Sequence, residues 1–526
     1  MYDTLLTLLR DACMRYKEKT VYKDSSGQMT FGQLDDLSAA AGDFIASFME
    51  ERYGSDSLRH PVVVMTGRNI FTPACYIGAA RAGCFYAPCD AKLPRHRLNQ
   101  ILSVIDAPLM IVERASYEKA AALDFSGKIV VYEDILSAYR KDQGRVDKNR
   151  LERISGQITE TDPLYVIFTS GSTGVPKGVI TAHHSLMCYL EDVNEVLSLN
   201  ESDVLGNQSP LDYIAAIRDM YLPLMSGACT FIIPENEFAM PAVLFETIRR
   251  ESITTLCWSA AGVEMAARMG GFDLDIRLPL RRVIFSGSVI SGKYLSLWQE
   301  HLPDTVFINQ YGPTEATASC TYYIVREKVT EDTVLPIGRP YRHYRVFLLS
   351  IDEKAENAAN VCGKRELILT PGQEGEICVA GPALALGYYG NPEKTAQSFV
   401  QDPLNKNYRD LIYRTGDIGR WREDGNLEFL GRSDRQIKHL GHRIELDEIE
   451  IEAMKVEGID ECCALYNKKK ELLYLFYSGE ASARDIALHF RAQMPAFMVP
   501  RRIKQLDALP KLPNGKKDMA SLKAML

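Results

Sequence analysis

The chain of 526 residues has no excess of basic residues and no long apolar run. Lys and Arg total 61 against 69 Asp and Glu, a net charge of −8, so the composition supplies no global basic face for nucleic acid. No stretch of about 18 uncharged apolar residues occurs, which excludes an obvious membrane-spanning helix. The opening segment MYDTLLTLLRDACMRYKEKT is typical of an amphipathic helix rather than of a signal peptide. We therefore expect a cytoplasmic protein with no nucleic-acid partner and no membrane span.

Cysteine spacing typical of metal sites is also missing. The 12 cysteines are scattered, no CxxC pair occurs, and Cys462 and Cys463 are adjacent, so no zinc-ligand pattern is present. A chain of this size needs no disulfide to stabilise its core, and we expect reduced thiols. Apolar residues make up 46% and charged residues 25%, a globular balance that excludes wholesale disorder. By the usual domain size, the length favours roughly two to four domains.

Short β-branched runs alternate with helical patterns in the early part of the chain. Strand-like segments at 62–65, 86–88 and 109–112 are separated by helix-like segments near 73–82 and 94–105. This alternation predicts a parallel α/β sheet.

The later part of the chain changes character. The pair Asp424-Gly425 separates two alternating strands and predicts an antiparallel hairpin. After Asp434, two helical patterns flank a further predicted hairpin, as in a small α+β domain joined by a short hinge. We predict a large domain over residues 1–433 and a small domain over 434–526.

The strongest local signal is the segment 164–186, which reads LYVIFTSGSTGVPKGVITAHHSL. A strand is followed by a loop with four hydroxyls, three glycines and a lysine inside ten residues. Glycines let backbone N–H groups converge on an anion, and hydroxyls add donors, although a flexible polar turn is the alternative. The pattern is not a Walker loop, because GxxxxGK[ST] does not match and a returning strand follows. The candidate anion-binding residues are Thr169, Ser170, Gly171, Ser172, Thr173, Gly174 and Lys177.

At this loop the chain resembles the adenylate-forming superfamily, which includes peptide-synthetase adenylation domains, acyl-CoA ligases and luciferases. Further segments match in the family's order: RAGCFYAPCD at 81–90, NQYGPTEAT at 309–317, GEICVAGPALALGYYGNPEKT at 375–395, YRTGDIGR at 413–420, GRSDRQIKHLGHRIELDEIE at 431–450 and LPNGKKD at 512–518. The resemblance covers nearly the whole chain. It implies an α/β fold whose large N-terminal domain has two α/β subdomains plus a β-barrel-like subdomain, followed by a small mobile α+β C-terminal domain.

The resemblance implies that ATP activates a carboxylic acid. The carboxylate would attack the α-phosphate and give an acyl-adenylate and pyrophosphate. Because both reactants are anionic, the site must neutralise charge and hold the atoms in line, which requires cations and magnesium.

The resemblance also assigns roles to single residues. The glycine-rich loop would hold the β- and γ-phosphates. Tyr311 would stack on adenine, with Asn309 near its edge. Thr314 would contact the α-phosphate, and Glu315 would bind magnesium. Asp417 would accept both ribose hydroxyls, since a carboxylate offers two acceptor oxygens.

Three further residues lie at the predicted domain boundary or in the predicted small domain. Arg432 would lie by the ribose or the phosphates. Lys516 would reach from the small domain between the carboxylate and the α-phosphate, a task that suits a flexible ammonium. The family hinges near Asp434, so that one pose presents Lys516 for adenylation and the other presents the 438–443 loop for thioester formation. Taken alone, each assigned residue could instead be core, a turn cap or a solvated charge.

The segment SPLDYIAAIRDMYLPLMSGA at 209–228 resembles the acid-pocket helix of amino-acid adenylation domains, where an aspartate grips the substrate α-amino group. Counting without a gap puts Ile214 at that position, and a two-residue insertion would restore Asp212. Arg218 falls at a lining position, where it could pair with an acidic substrate group or with its neighbour Asp219. The other expected lining residues are Cys257, Ser286, Gln310, Ala318 and Ser319.

The segments YGPTEAT and QIKHLGHRIELDEIE resemble stand-alone D-alanine:carrier-protein ligases more than CoA ligases. Since the chain stops ten residues after Lys516, we expect a stand-alone enzyme that loads an amino or related carboxylic acid on a separate phosphopantetheinylated carrier protein, with ATP and Mg²⁺ as cofactors. One alternative is an acyl- or aryl-CoA ligase, with CoA as the acceptor. Another is a catalytically inactive, nucleotide-binding regulator.

Overall fold

The computed structural model describes residues 2–141, 145–274, 276–351, 366–468, 470–512 and 517–526. The strands are β1 Thr20–Asp24, β2 Gly27–Thr30, β3 Pro61–Met65, β4 Phe85–Pro88, β5 Leu109–Val112, β6 Lys128–Val131, β7 Pro163–Thr169, β8 Lys177–Ala182, β9 Val204–Asn207, β10 Cys229–Ile232, β11 Thr255–Ser259, β12 Arg282–Ser286, β13 Val306–Tyr311, β14 Thr321–Val325, β15 Arg339–Pro340, β16 Arg345–Leu349, β17 Leu367–Ile368, β18 Glu374–Ala380, β19 Gly387–Tyr388, β20 Phe399–Gln401, β21 Leu411–Trp421, β22 Leu427–Arg432, β23 Gln436–His439, β24 His442–Glu445, β25 Ile459–Asn467, β26 Leu472–Gly479 and β27 Arg502–Gln505. The helices are α1 Leu5–Tyr16, α2 Phe31–Tyr53, α3 Thr72–Arg81, α4 Arg95–Ile105, α5 Tyr117–Ala121, α6 Tyr132–Lys141, α7 Lys148–Ser155, α8 His183–Leu197, α9 Ala216–Ser226, α10 Pro241–Arg250, α11 Ala260–Arg268, α12 Gly292–His301, α13 Pro392–Ser398, α14 Leu446–Ala453, α15 Ala483–Gln493 and α16 Met519–Ala524.

A seven-stranded sheet gathers most of the early strands, in the order β19-β8-β7-β4-β3-β5-β6. Strands β7, β4, β3, β5 and β6 run parallel, and β8 returns antiparallel to β7. All of β3 is buried, because a central parallel strand with helices on both faces meets no solvent. The predicted alternation of strands and helices between residues 62 and 112 corresponds to β3, α3, β4, α4 and β5.

The second sheet has nine strands, in the order β15-β14-β13-β12-β11-β9-β10-β1-β2. Its central strands are parallel neighbours, and antiparallel strands lie at both edges. The largest hydrophobic cluster contains residues of both sheets together with α8 and α9. Because α9 is buried around most of its circumference, its charged residues Arg218 and Asp219 lie in the interior.

A third, antiparallel sheet follows, in the order β17-β16-β18-β21-β20, with β22 paired to β21. The turn at Asp424 and Gly425 joins β21 to β22, so the hairpin predicted there is present. This sheet lies between Arg345 and Arg432. Together with the two largely parallel sheets, it agrees with the predicted α/β fold class.

The residues after Asp434 form a sheet and helices of their own. Strands β25, β26 and β27 make a three-stranded sheet, β23 and β24 make a separate hairpin, and α14 and α15 pack on the three-stranded sheet. A hydrophobic cluster drawn from residues between Ile444 and Met498 fills this unit. Asp434 lies in the connection between β22 and β23. The domain boundary and the hinge at this residue stay predictions.

In the ranges that the structure describes, no disulfide joins two cysteines. Cys362 lies outside those ranges. Across the same ranges, no helix combines the length and the apolar composition that crossing a bilayer requires.

Candidate active site

The candidate phosphate loop joins β7 to β8, which form the expected antiparallel hairpin. Thr169 and Ser170 are buried where β7 ends, whereas Ser172 and Thr173 are exposed at the turn. A Cβ atom at position 171 would lie 2.0 Å from the carbonyl oxygen of Val175, so only glycine fits there. The glycine pattern read from the sequence therefore has a steric cause.

Acidic residues of the predicted small domain bind the backbone N–H of Gly171 and the ammonium of Lys177 in this loop. The N–H of Gly171 donates to Oε2 of Glu448 at 3.2 Å. The ammonium of Lys177 lies 3.2 Å from Oε1 of Glu445. Gly174, in the same turn, has φ +79°. The loop thus holds carboxylates, which are anions like the phosphates predicted for it.

Three predicted nucleotide ligands from separate strands meet at one point. Tyr311 ends β13, Asp417 lies in β21, and Arg432 ends β22. The hydroxyl of Tyr311 donates to Oδ2 of Asp417, and the guanidinium of Arg432 donates to Oδ1. Asn309 is buried nearby in β13 and donates to the carbonyl of Pro336 at 2.9 Å.

A glycine lets Arg432 reach this point. Gly416 has φ +70°, and a Cβ atom there would lie 2.9 Å from Nη2 of Arg432. Arg432 also pairs with Asp434 at 2.7 Å, so its guanidinium bridges Asp417 to the predicted hinge residue. Burial lowers the pKa of Arg432, but the carboxylates of Asp434 and Asp417 outweigh burial and raise it well above its usual value.

Glu315 is completely buried in a short 3₁₀ turn, Thr314–Ala316. The hydroxyl of Tyr388 donates to its Oε1 at 2.7 Å, and Nη1 of Arg443 lies 2.9 Å from its Oε2. Burial favours a higher pKa for Glu315, but Arg443, the Tyr388 hydroxyl and Lys177 lower it to about 2. Glu315 is therefore ionised at neutral pH.

The groups around Glu315 fit a magnesium ion that arrives with phosphate. Mg²⁺ is commonly held by one or two carboxylates together with substrate phosphates, and here an ionised carboxylate lies near an anion-binding loop. Within the described ranges, no group of three or more His, Cys, Asp or Glu residues could hold a metal without such a substrate. Since Arg443 already pairs with Glu315, this guanidinium and a magnesium ion would compete for the same carboxylate.

The predicted thioester loop, residues 438–443, spans the turn between β23 and β24 and lines a cavity together with Thr314, Asp417 and Arg432. The ammonium of Lys438 lies 5.6 Å from the centre of the Tyr311 ring. The carbonyl of Gly441 accepts a hydrogen bond from the Tyr213 hydroxyl at 2.9 Å. The small domain is thus docked with this hairpin directed toward the candidate nucleotide residues.

Helix α9 lies within the predicted acid-pocket segment, residues 209–228, and contains Pro223. Because proline has no N–H, the carbonyl of Asp219, four residues earlier, receives no helical hydrogen bond. The hydroxyl of Thr230 donates to that carbonyl at 2.5 Å instead. This contact fixes the helix against β10.

A cavity of about 100 Å³ is lined by four of the predicted pocket residues: Ile214, Arg218, Ser286 and Ala318. Nη1 of Arg218 donates to Oε1 of Gln310 at 2.6 Å. Its Nη2 is buried and has no hydrogen-bond partner among the described residues. Arg218 therefore reaches the cavity wall with part of its donor capacity unused.

Asp219 does not form the ion pair with Arg218 that the sequence left open. Its Oδ2 accepts a hydrogen bond from Nδ2 of Asn207 at 2.7 Å, and in the described part of the chain no salt bridge joins the two neighbours. Burial raises the pKa of Asp219 to about 7, although Arg218 and Asn207 lower it.

The remaining predicted pocket residues lie behind the cavity wall or elsewhere. Cys257 is buried in β11, and Ser319 is buried beside Gln310. Asp212 lines another cavity, of about 130 Å³, next to the phosphate loop. The structure therefore brings Ile214, but not Asp212, to the cavity that Arg218 lines.

Sequence reasoning missed several residues around the cavity. Tyr388, which holds Glu315, lies inside the quoted segment 375–395, but a tyrosine carries no chemical signal there without its partner. Tyr213 lines the cavity and contacts His442, a residue of the predicted 438–443 loop, edge to face at 5.6 Å between ring centres. Adjacency to Asp212 was the only signal for Tyr213. Lys516 lies outside the described residues, so its role stays a prediction.

Comparison with protein families places these features in context. The model of the AMP-binding enzyme family matches residues 9–389, well over half of the chain. The chain belongs to the AMP-binding enzyme family. Membership confirms the resemblance predicted from the motifs, and with it the expectation of an enzyme that uses ATP with Mg²⁺, the cofactors of AMP-binding enzymes. The matched span contains the phosphate loop, Tyr311 and Glu315.

A curated relative of this AMP-binding enzyme is much longer than the chain itself. Bacitracin synthase 3 of Bacillus licheniformis is 28% identical over 98% of the chain. The chain spans 8% of the length of that relative.

Solved structures share the AMP-binding fold. The Vibrio cholerae adenylation domain AlmE, in complex with glycyl-adenosine-5'-phosphate, superposes with a TM-score of 0.82 at 21% identity and covers 100% of this chain and 98% of that one. Holo-PA1221, a nonribosomal peptide synthetase protein containing adenylation and PCP domains, has a TM-score of 0.78 at 22% identity and covers 99% and 84%. At these identities the likeness concerns the fold, and it confirms the predicted fold class.

Proposed function

We propose that this chain activates an amino or related carboxylic acid as its acyl-adenylate and transfers the acyl group to the phosphopantetheine thiol of a carrier protein. The observation that carries the proposal is a single cavity lined by Thr314, Asp417 and Arg432 together with the acid-pocket residues. Such convergence suits a reaction between a nucleotide and an organic acid, because the two must be held in one geometry.

In the first half-reaction, an oxygen of the substrate carboxylate attacks the α-phosphorus of ATP. The bond from that phosphorus to the bridging oxygen breaks, and pyrophosphate leaves. Asp417 would accept the ribose hydroxyls, and Tyr311 would offer its ring to adenine. The loop would hold the phosphate tail through backbone N–H groups and Lys177, and Lys516 would lie between the two reacting groups. A magnesium ion held by Glu315 would neutralise phosphate charge.

In the second half-reaction, the thiolate sulfur attacks the carbonyl carbon of the adenylate, and AMP leaves with the electron pair of the broken C–O bond. The thiol proton passes to solvent. The inward-directed hairpin of residues 438–443 supports this step, since Gly441 allows close backbone approach. In this arrangement Glu445 pairs with Lys177 of the phosphate loop, and Glu448 accepts a hydrogen bond from the N–H of Gly171. The triphosphate tail and the docked small domain therefore exclude each other, which supports alternation between two domain poses.

Known proteins support the choice of acceptor. Bacitracin synthase 3 is a relative over nearly the whole chain, and PA1221 contains a PCP domain beside its adenylation domain. AlmE is described with glycyl-adenosine-5'-phosphate, an aminoacyl adenylate. We take the cytoplasm as the expected location, because a thiol acceptor requires a reducing compartment.

ATP–pyrophosphate exchange with a broad panel of amino and carboxylic acids tests the proposal. We expect at least one acid to support exchange, and Lys516→Ala and Glu315→Gln each to reduce it about hundredfold or more. Lys511→Ala is the matched control, since Lys511 pairs with Glu461 on the surface.

Other outcomes would favour the alternatives. Turnover with CoA and without any carrier protein would support an acyl- or aryl-CoA ligase. Binding of ATP without exchange for any acid would contradict the proposal and support a nucleotide-binding regulator.

A further inference from the structure

We propose that Arg218 recognises a second anionic group on the substrate, so that the site takes a small acid with two ionised groups, in the simplest case a dicarboxylate. The inference rests on the proposed function and refines it by naming the substrate class.

The guanidinium of Arg218 is almost completely withdrawn from water, with 1% of the residue exposed. Its Nη2 has no hydrogen-bond partner among the described residues, and its neighbour Asp219 bonds to Asn207. Asp219 attracts this cation but forms no salt bridge with it among the described residues, and burial favours the neutral form of Asp219, so the charge of Arg218 is only partly neutralised. Buried polar groups are nearly always satisfied, so an unused buried donor at a cavity wall indicates a group that a ligand completes.

The guanidinium is also held in place. Nη1 donates to Oε1 of Gln310 at 2.6 Å, and Nε donates to the carbonyl of Ala215 at 3.3 Å. The amide of Gln310 is itself oriented by a hydrogen bond to the Tyr341 hydroxyl. Because two of its nitrogens are fixed by protein groups, the third has a defined position and can bind an oxyanion without reordering the side chain.

The charges around the cavity favour an anion over an ammonium. The described lining residues with positive charge are Arg218, Arg432, Lys438 and Arg443. Asp417 is the one carboxylate in the described lining, and it is already bonded to Tyr311 and Arg432. Ile214, which lines the wall near Arg218, offers no counter-ion for an α-amino group. Because Arg432 and Arg443 already pair with Asp434 and Glu315, the charge that a substrate meets at this wall is that of Arg218, which would repel an ammonium and be neutralised by a second carboxylate.

A short-chain acid is the simplest probe, because the cavity measures only about 100 Å³ and is also lined by the candidate nucleotide residues Asp417 and Arg432. Malonate, succinate and glutarate are therefore suitable probes, and the monoamide of each has nearly the same shape with one charge fewer.

The test measures ATP–pyrophosphate exchange with these three diacids, with their monoamides, and with alanine as an ammonium-bearing acid. In the wild type we expect kcat/KM for the best diacid to exceed that for its monoamide by about 10- to 100-fold, the usual strength of a hydrogen bond to a charged group. Arg218→Gln should abolish this preference. Arg282→Gln is the matched control, because Arg282 pairs with Asp203 at 3.1 Å outside the cavity and its loss should leave the preference intact.

Each result supports or contradicts binding of a second anionic group by Arg218. Equal use of diacid and monoamide by the wild type, or an unchanged preference in Arg218→Gln, would overturn it. Exchange with alanine but with no diacid would overturn it while leaving the proposed function in place. If no acid supports exchange and the protein does not bind AMP, both this inference and the proposed function are contradicted. If Arg218→Gln does not fold, thermal melting of the wild type with AMP decides: a larger rise in Tm with the diacid than with its monoamide supports the inference, and an equal rise overturns it.

Discussion

At the scale of single residues, burial decides the charge state of Asp219. This carboxyl is completely buried, and its Oδ1 has no hydrogen-bond partner among the described residues. Its pKa rises to about 7 because burial disfavours the charged form, and Arg218 and Asn207 offset burial only in part. The group is therefore partly protonated near neutral pH.

This raised pKa predicts a pH-dependent stability. Because the folded chain binds the proton more tightly than the unfolded chain, the contribution of Asp219 is present below about pH 4 and is lost as pH rises through about 7. We expect the Tm of Asp219→Asn, measured relative to the wild type, to be a few degrees higher at about pH 8 than at about pH 5. Thermal melts of both proteins at the two pH values measure this change. The matched control is Asp304→Asn, at an exposed carboxyl. The same difference in Tm at both pH values would contradict this explanation.

Gly416 offers a second residue-scale prediction. A Cβ atom there would lie 2.9 Å from Nη2 of Arg432. We expect Gly416→Ala to displace this guanidinium and weaken AMP binding about tenfold, measured by calorimetry. Gly372 has a similar φ of +83° with nothing within 4 Å of the added atom. Gly372→Ala therefore carries the same backbone strain without the collision, and equal weakening in both variants would exclude displacement of Arg432 as the cause.

At the scale of elements, the hairpin of β23 and β24 has a tight two-residue turn. His439 and His442 are paired across it, and Leu440 and Gly441 both have positive φ, at +51° and +84°. This combination is typical of a type I′ turn, in which leucine at the first position is strained. A Cβ atom on Gly441 would also lie 3.2 Å from Cβ of Ser259. The hairpin tip is thus fitted closely to the cavity wall.

We therefore expect Gly441→Ala to affect the two half-reactions differently. ATP–pyrophosphate exchange should stay within about twofold of the wild type, whereas transfer to a thiol acceptor should fall about tenfold, since strain at positive φ costs roughly 1–2 kcal/mol. Thioester formation from preformed adenylate measures the second step. Gly425→Ala, in the turn between β21 and β22 at φ +76°, controls for strain in a hairpin outside the cavity. Equal losses in both steps would contradict a role confined to transfer.

At the scale of the whole molecule, a buried ion pair joins α4 to α14, which belongs to the predicted small domain. Arg97 in α4 and Glu448 in α14 form a salt bridge at 2.6 Å, with 8% and 2% of their side chains exposed. Removing one partner of a buried pair leaves the other charge without a counter-ion, at a cost of about 3–5 kcal/mol. Docking should therefore depend on both residues.

We expect Arg97→Gln to release the small domain in the absence of ligand. Limited proteolysis near residues 430–440 should become faster by about tenfold or more, and the radius of gyration from X-ray scattering should increase. Arg95→Gln is the matched control on the same helix, since Arg95 pairs with Asp124 at 3.4 Å on the surface. Cleavage that is unchanged in Arg97→Gln and unchanged by ATP with an acid substrate would count against a movable small domain.

Local sequence patterns were sufficient to predict the short-range elements. The strands and helices between residues 62 and 112, the hairpin at Asp424 and the glycine-rich turn after β7 all follow from residues close together in the chain. Hydrophobic periodicity and turn chemistry act over such short spans, so these features could be predicted. Motifs far apart in sequence also identified the family, because each keeps its own local pattern.

Which side chains contact each other depends on the packing of the folded chain. Whether Arg218 pairs with Asp219, and whether Ile214 or Asp212 reaches the cavity, depends on how α9 packs between two sheets. The partners that settle it, Asn207 and Gln310, come from distant strands. A buried charge finds its counter-ion or its ligand through long-range packing and desolvation, and neither can be read from neighbouring residues.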